Sequence, residues 1–450
     1  MADSLKDYKK SDISAETIRK LARLRKKFML GSDVDKDLVF DFQFLMNEET
    51  VSYIQKHGKV MFLIRGPPST GKATLSEMII EKYPKATFCC ADLYFKNSFN
   101  SPSRTKESLR LSHEFCASRA ETACTNDSRL IIIQNTHMRK WEMQHYLNLA
   151  ATNNYVVIMA ITLYRFEVTP EALLANNTDG LNITYFRKRL RQWEDIPPAL
   201  TGWFLCPEDA SYLQSLALES LKGLTADEEF CHIFELYSSD KVAHYYKARR
   251  LLFCLAGYAT DSYEMKNHYL SDIVQYLYGK CFTITVLGYH ITPSAMNAVV
   301  YVDDKMELLM FEGSHNYVKN YEFSDYMNRL GINDNLSEHG KTYKFKNSPQ
   351  SLKSATAALE EWEEGEVFFA KQCSFIHLAQ KGEDVFDAGQ LRNEFKKSIL
   401  FAADVDDKFT SDCFNTLNNG TTVCRVKDNE WLIKAPKKIS FKALFTGLYT

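Results

Sequence analysis

From Val60 onward, short apolar runs alternate with longer amphipathic stretches. VMFLI comes first, then a helix-forming segment through Tyr83, ATFCCAD at 86–92, and a long polar helical stretch. RLIIIQNT at 129–136, another helix and YVVIMAIT follow. Apolar runs of strand length, separated by helices of about ten or more residues, predict a parallel sheet covered on both faces. The pattern assigns residues 46–228 to an α/β domain. The second half has a different period. LLFCLAGYAT from 251, CFTITVLGYHITPS from 281, NAVVYVDD from 297, CSFIHLAQ from 373, TVCRVKDNEWLIKA and ISFKALFTGLY are strands. Several of their intervals are too long for hairpins and partly helical, so an α+β domain with a largely antiparallel sheet is expected over 235–450. Residues 1–45 form a charged lead-in. Within it, IRKLARLRKKFML at 18–30 carries Arg19, Lys20, Arg23, Arg25, Lys26 and Lys27 around an amphipathic pattern. A solvated basic helix and a contact with RNA or a membrane surface both fit that pattern.

Composition narrows the setting. With 450 residues, 45% of them hydrophobic, and a formal net charge of -2, the chain has the make-up of a globular protein, and its overall charge does not announce a nucleic-acid partner. The eleven cysteines include no C-x-x-C pair, so reduced thiols and a cytoplasmic setting are expected. MADSLKDYKK is charged where a signal peptide would be apolar, and YVVIMAITLY at 155–164 is far short of a membrane span. The final FTGLYT contains no prenylation box.

Candidate chemistry concentrates first in FLIRGPPSTGKATL at 62–75. Gly66, Gly71 and Lys72 have the spacing of a phosphate-binding loop, with a strand before it and a helix after. In such a loop the backbone amides around Ser69, Thr70 and Gly71 cradle phosphates, and the lysine reaches the outer ones. The next position should supply a hydroxyl to Mg²⁺, and it is Ala73. Thr74 has a hydroxyl, but it is rotated by about 100° along the helix. Asp92 could accept a proton from a substrate hydroxyl, as in a polynucleotide-kinase-like site, or simply cap a helix. Asn135 stands where a carboxylate would serve the metal. Arg187, Arg189 and Arg191 of RKRLR could form a phosphate-clamping lid or a solvated helix face. Ala73 and Asn135 both remove metal ligands, so the expectation is ATP or GTP binding with weakened Mg²⁺ dependence, and no kinase activity.

Several stretches together carry a resemblance. DFQFLMNEETVSYIQKHGKVMFLIRGPPSTGKATL, ADLY, IIIQNTHMRKWEM, GWFL at 202–205, GKCFTITVLGYHITPS and NEWLIKAPKKISFKALFTGLYT resemble the 2′,3′-cyclic nucleotide 3′-phosphodiesterase (CNPase) family from about residue 40 onward. That resemblance implies a polynucleotide-kinase-like P-loop domain followed by a two-histidine phosphoesterase-like domain, which opens a 2′,3′-cyclic phosphate to a 2′-phosphate without a metal. It also implies nucleotide or RNA binding and cytoskeletal association.

The implied reaction needs two H-x-T motifs, with one histidine as base, the other as acid, and the threonines as phosphate donors. The first motif falls on LFCLA, with Phe253 in the histidine position and Leu255 in the threonine position. The second falls on SFIHLA, with Phe375 and His377. Phenylalanine carries no proton, so a pseudoenzyme that binds nucleotide or RNA is expected. An active phosphodiesterase, using His290 of HIT with His377, and a weak polynucleotide kinase are the alternatives.

Overall fold

Strand β1 (Val60–Arg65) is buried at all six positions, as a strand covered on both faces must be. It pairs in parallel with β3 (Leu130–Gln134) and β4 (Val156–Ile161), and β2 (Thr87–Cys90) adds to β3, giving the order β2-β3-β1-β4. The computed structural model describes residues 40–96, 103–165, 168–236, 239–313, 356–362, 373–382, 387–403 and 414–449. The basic stretch at 18–30 lies outside them. Helices α1 (Glu48–His57), α2 (Lys72–Lys82), α3 (Lys106–Thr125), α4 (Trp141–Thr152) and α5 (Ile183–Arg191) accompany this sheet. The chain joins the core earlier than the charged lead-in of 1–45 would have it. Phe40, Phe42 and Phe44 stack in series, and Phe44 reaches Phe62 of β1 at 5.4 Å between ring centroids.

The second sheet departs from the expected α+β layout. Strand β5 (Leu200–Leu205), inside the stretch assigned to the P-loop domain, takes no part in the parallel sheet. It pairs with both β7 (Phe253–Tyr258) and β15 (Glu430–Leu448). With β8 (Cys281–Ile291), β9 (Ala295–Tyr301) and β12 (Cys373–Gln380), the hydrogen bonding closes a six-membered ring, β5-β7-β12-β9-β8-β15. The second domain is therefore a barrel. Closure rests on pairing 200–205 with 443–448, which no local periodicity announces. Trp203 fills the ring against Phe282 and Phe445, with centroids 6.2 and 5.7 Å away.

The small strands β6 (Lys247–Ala248), β10 (Phe311–Glu312), β11 (Ala358–Glu360), β13 (Asn415–Thr416) and β14 (Thr422–Lys427) extend the ring's edges. Strand β15 shifts register against β8 between Lys434 and Ile439, the stretch that contains Pro436, which cannot donate to a ladder. Helices α6 (Pro207–Gly223) and α7 (Ala388–Ala403) are the two longest of the second half among the described residues. The two sheets touch directly: Thr446 Oγ1 donates to Val157 O at 2.7 Å, and Met159 N donates to Tyr278 Oη at 3.2 Å. All ten described cysteines are free and buried. Among the described residues no helix is long and apolar enough to cross a membrane.

Candidate functional site

The phosphate-loop sequence folds as its glycines demand. Gly71 caps α2 with a left-handed φ of 75°, where a side chain would be strained, and Ser69 adopts a φ of 64°. A Cβ on Gly66 would meet Thr162 Oγ1 at 1.9 Å, so the strand end passes against bare backbone. Thr70 Oγ1 donates to Pro67 O at 2.8 Å and lies 2.6 Å from Thr162 Oγ1, which ties the loop to the end of β4. The amides of Ser69, Thr70, Gly71 and Lys72 make no hydrogen bond among the described residues. Lys72 Nζ donates to Pro67 O at 2.7 Å. Burial pulls its ammonium down to about 8, Asp92 and Cys90 oppose that shift, and Arg189 adds to it.

The groups expected around the loop converge only in part. Arg189 donates to Thr136 Oγ1 at 2.8 Å, beside the end of β3. Arg187 turns to Glu171 at 3.3 Å, and Arg191 is exposed. Asp92 is exposed and pairs with Arg104 at 3.1 Å. Thr74 is half-buried in the first turn of α2, behind exposed Ala73. Asn135 is committed elsewhere: its Oδ1 accepts from Ala91 N at 3.1 Å, and its Nδ2 donates to Cys116 Sγ at 3.4 Å. The donors gathered here suit phosphate oxygens, and Ala73 and Asn135 offer neither a hydroxyl nor a carboxylate oxygen at their two positions. Among the described residues no cluster of three His, Cys, Asp or Glu side chains could hold a metal ion.

Two neighbours of the loop were not singled out in the sequence. Arg65, fully buried at the end of β1, donates to His137 O at 3.0 Å and to Glu194 O at 2.9 Å, and lies 4.0 Å from the Trp193 ring. His137 has a φ of 45° and a buried Nε2 with no partner. Burial first, and the Arg65 charge second, push its pKa down to about 3. An arginine closing an otherwise apolar run was the available signal for Arg65.

On the barrel, the register settles where the motif positions point. Cys254 and Ile376 are directly opposite, so Phe253, Leu255, Phe375 and His377 share the other face. Phe375 and His377 are both buried. Phe375 is 1% exposed and packs against Phe395 of α7 at 5.1 Å, and Phe395 also meets the His290 ring at 5.8 Å. Phe253 packs against Phe204 with ring centroids 4.9 Å apart, and Leu255 is buried.

His377 and His290 belong to one buried row across three strands, with Asn297 between them in register. His377 Nδ1 donates to Asn297 Oδ1 at 2.8 Å, and Asn297 Nδ2 reaches His290 Nδ1 at 3.4 Å. This amide orientation places the His290 proton on Nε2, which faces Glu430 Oε2 at 3.8 Å. His377 Nε2 lies 3.0 Å from Gln380 Oε1. Burial alone would raise the Glu430 carboxyl, but His290, Ser398 and Lys427 outweigh it and hold the pKa at about 2. Asn297 was missed in the sequence, although it is the one amide in the apolar run AMNAVVY.

The family model described as AAA domain matches residues 61–178. The 2',3'-cyclic-nucleotide 3'-phosphodiesterase of Rattus norvegicus is 24% identical over 280 residues, 59% of this chain and 64% of the rat protein. That of Mus musculus is 24% identical over 304 residues, 64% of this chain and 70% of the mouse protein. NEDD4-binding protein 2 of Homo sapiens is 28% identical over 143 residues, 31% of this chain and 8% of that protein. The solved structure titled "Structure of Pnkp1/Rnl/Hen1 complex" covers 28% of this chain and 42% of its own at 14% identity, with a TM-score of 0.24, too low to argue from. The match spans a little under two thirds of the rat protein's length. The chain is thus CNPase-like at the level of distant similarity, with a P-loop domain at its front.

Proposed function

We propose that this chain is a CNPase-like nucleotide-binding protein that has lost the phosphodiesterase reaction. The observation carrying this reading is the burial of Phe375 against Phe395, at a position to which the family resemblance assigns proton transfer. Opening a 2′,3′-cyclic phosphate needs a base on water and an acid on the leaving oxygen. Phe253 and Phe375 can be neither. The imidazoles nearby, His377 and His290, spend three of their four ring nitrogens on Asn297 and Gln380.

The P-loop supports the binding half of the proposal. Four amides and Lys72 converge on one loop, so a nucleotide phosphate would take the amides and draw Lys72 away from Pro67 O. ATP or GTP, or the phosphorylated end of an RNA, is the ligand class that fits. A role at the cytoskeleton rests on the family resemblance alone. A screen of purified protein against ATP, GTP, 2′,3′-cyclic NADP and RNA with a cyclic phosphate end tests both halves: binding without turnover is expected. Cyclic-phosphate hydrolysis by the wild type would refute the proposal. One observation favours a second reading, an unorthodox hydrolase: His377 and His290 lie in one buried row, joined through Asn297, with Glu430 Oε2 3.8 Å from His290 Nε2. Hydrolysis abolished by His290→Ala or His377→Ala would establish it.

A further inference from the structure

Helix α7 packs on the barrel through Phe395, and its inward positions Arg392, Phe395, Ser398 and Ile399 follow the spacing of one helical face. All four are buried. Two of them are polar, and a buried arginine needs a partner. Both reach carboxylates of the barrel. Arg392 Nε donates to Glu312 Oε1 at 2.7 Å, and Ser398 Oγ donates to Glu430 Oε2, the oxygen that faces His290. Phe395, three residues from each of these anchors, is the cover itself, 5.1 Å from the Phe375 ring and 5.8 Å from that of His290.

Glu312 is the centre of this seat. It belongs to β10, which pairs with β7, and its second oxygen accepts from Lys396 Nζ at 2.6 Å. Arg392 Nη1 also donates to Ser374 Oγ of β12 at 2.8 Å, and that hydroxyl donates to Leu255 O of β7 at 2.6 Å. The latch thus ties α7 to both motif strands. Polar anchors of this kind tolerate lifting. The guanidinium, the ammonium and both carboxylates regain water when the helix leaves, so opening strands none of them. Without the Glu312 charge, the closed form would instead hold a buried guanidinium short of its carboxylate, which is strongly unfavourable. The closed position therefore depends on one side chain.

We propose that α7 is an autoinhibitory cover, latched by Glu312, that lifts as a unit and bares Phe375 and His290. Lifting breaks the two Glu312 pairs and the Ser398–Glu430 bond together, because all of them run between α7 and the barrel. Strands β7, β8, β9 and β12 keep the ladders that hold the histidine row. The inference goes beyond the function proposed above and does not depend on it: an open cover supplies no proton carrier at Phe253 or Phe375.

The test is native-state hydrogen exchange of the full chain at low urea, read by mass spectrometry, in the wild type and in Glu312→Gln. Wild-type amides at 391–399 are expected to exchange through an opening that is easier and less urea-dependent than the one exposing β12. Glu312→Gln should speed that opening about tenfold or more while leaving β1 and β12 as protected as before. Glu361→Gln, which removes a carboxylate from an exposed pair with Lys437, should leave α7 unchanged. Diethyl pyrocarbonate should modify His290 faster in Glu312→Gln by a factor similar to that of the exchange. If α7 in the wild type exchanges only together with β12, the proposal is overturned, even where the variant fails to fold. Equal α7 exchange in wild type and Glu312→Gln overturns the latch. Faster α7 exchange with no gain in His290 modification overturns the covering role.

Discussion

At the P-loop, polar groups are left open to exchange: four amides have no partner among the described residues, and Lys72 holds only a carbonyl of its own loop. On the barrel face the opposite holds. Its rings and amides are tied to one another beneath Phe395, and His290 Nε2, which has no hydrogen-bond partner among the described residues, faces a carboxylate. The first arrangement can accept a ligand by trading weak internal contacts for stronger ones. The second would have to strand buried groups to do so, at about 1–3 kcal/mol each. A site is kept functional by what it leaves unsatisfied, as much as by which residues it contains.

The sharpest way to break this comparison is to rebuild the barrel site. Phe253→His, Leu255→Thr, Phe375→His and His377→Thr together restore both motifs, and Phe395→Ala opens the cover. Each positioned acid or base is worth about 10²–10⁴ in rate. The fivefold variant should therefore form 2′-nucleotide from a 2′,3′-cyclic nucleotide, resolved by chromatography, while the wild type stays at the buffer level. No product from a folded fivefold variant would mean that the face has drifted beyond these positions.

Next in size is Asn297→Leu. It strands the Nδ1 atoms of both His377 and His290 in the interior, so a loss of about 2–5 kcal/mol is expected in urea unfolding. A loss below that range would mean that the row is looser than its distances imply.

The same contrast explains what was legible in the sequence. Gly66, Gly71 and Lys72 act within one loop, so spacing alone placed them. The apolar runs gave the strands for the same reason: burial and period are local. Barrel closure was hidden, because it joins β5 to β15 across more than half the chain. So was the lid over Phe375, which depends on Phe395 arriving from α7. Asn297 is an intermediate case: an amide inside an apolar strand is visible, but its two histidine partners are fixed only by register.

The P-loop side of the comparison is tested by Lys72→Ala. The charge it removes should cost about ten- to a hundredfold in ATP or GTP affinity, measured by calorimetry. The pH profile adds a sign. With the ammonium depressed to about 8, mainly by burial, the charged form is complete near pH 6 and is lost as pH rises through 8. Phosphate binding favours that charged form, so wild-type affinity should fall between pH 7 and pH 9. Lys72→Arg, which stays protonated, should flatten the fall. A wild-type profile already flat over that interval would contradict the role given to Lys72.

The smallest expected effect concerns the metal, and it isolates one atom. Ala73→Ser returns a hydroxyl to the first turn of α2, directly after Lys72, where a phosphate-binding loop ordinarily offers an oxygen to Mg²⁺. The side chain at 73 is exposed, so the change strands nothing and should leave stability within about 0.5 kcal/mol. It does not restore the second ligand, because Asn135 remains bound to Ala91 N and Cys116. The gain in ATP affinity on adding Mg²⁺ should therefore be severalfold larger in Ala73→Ser than in the wild type, yet still modest. Adding Asn135→Asp should not complete the site: the new carboxylate would sit against Cys116 Sγ, losing the amide's donor and burying a charge. Equal Mg²⁺ dependence in wild type and Ala73→Ser would mean that the hydroxyl is not what the loop lacks.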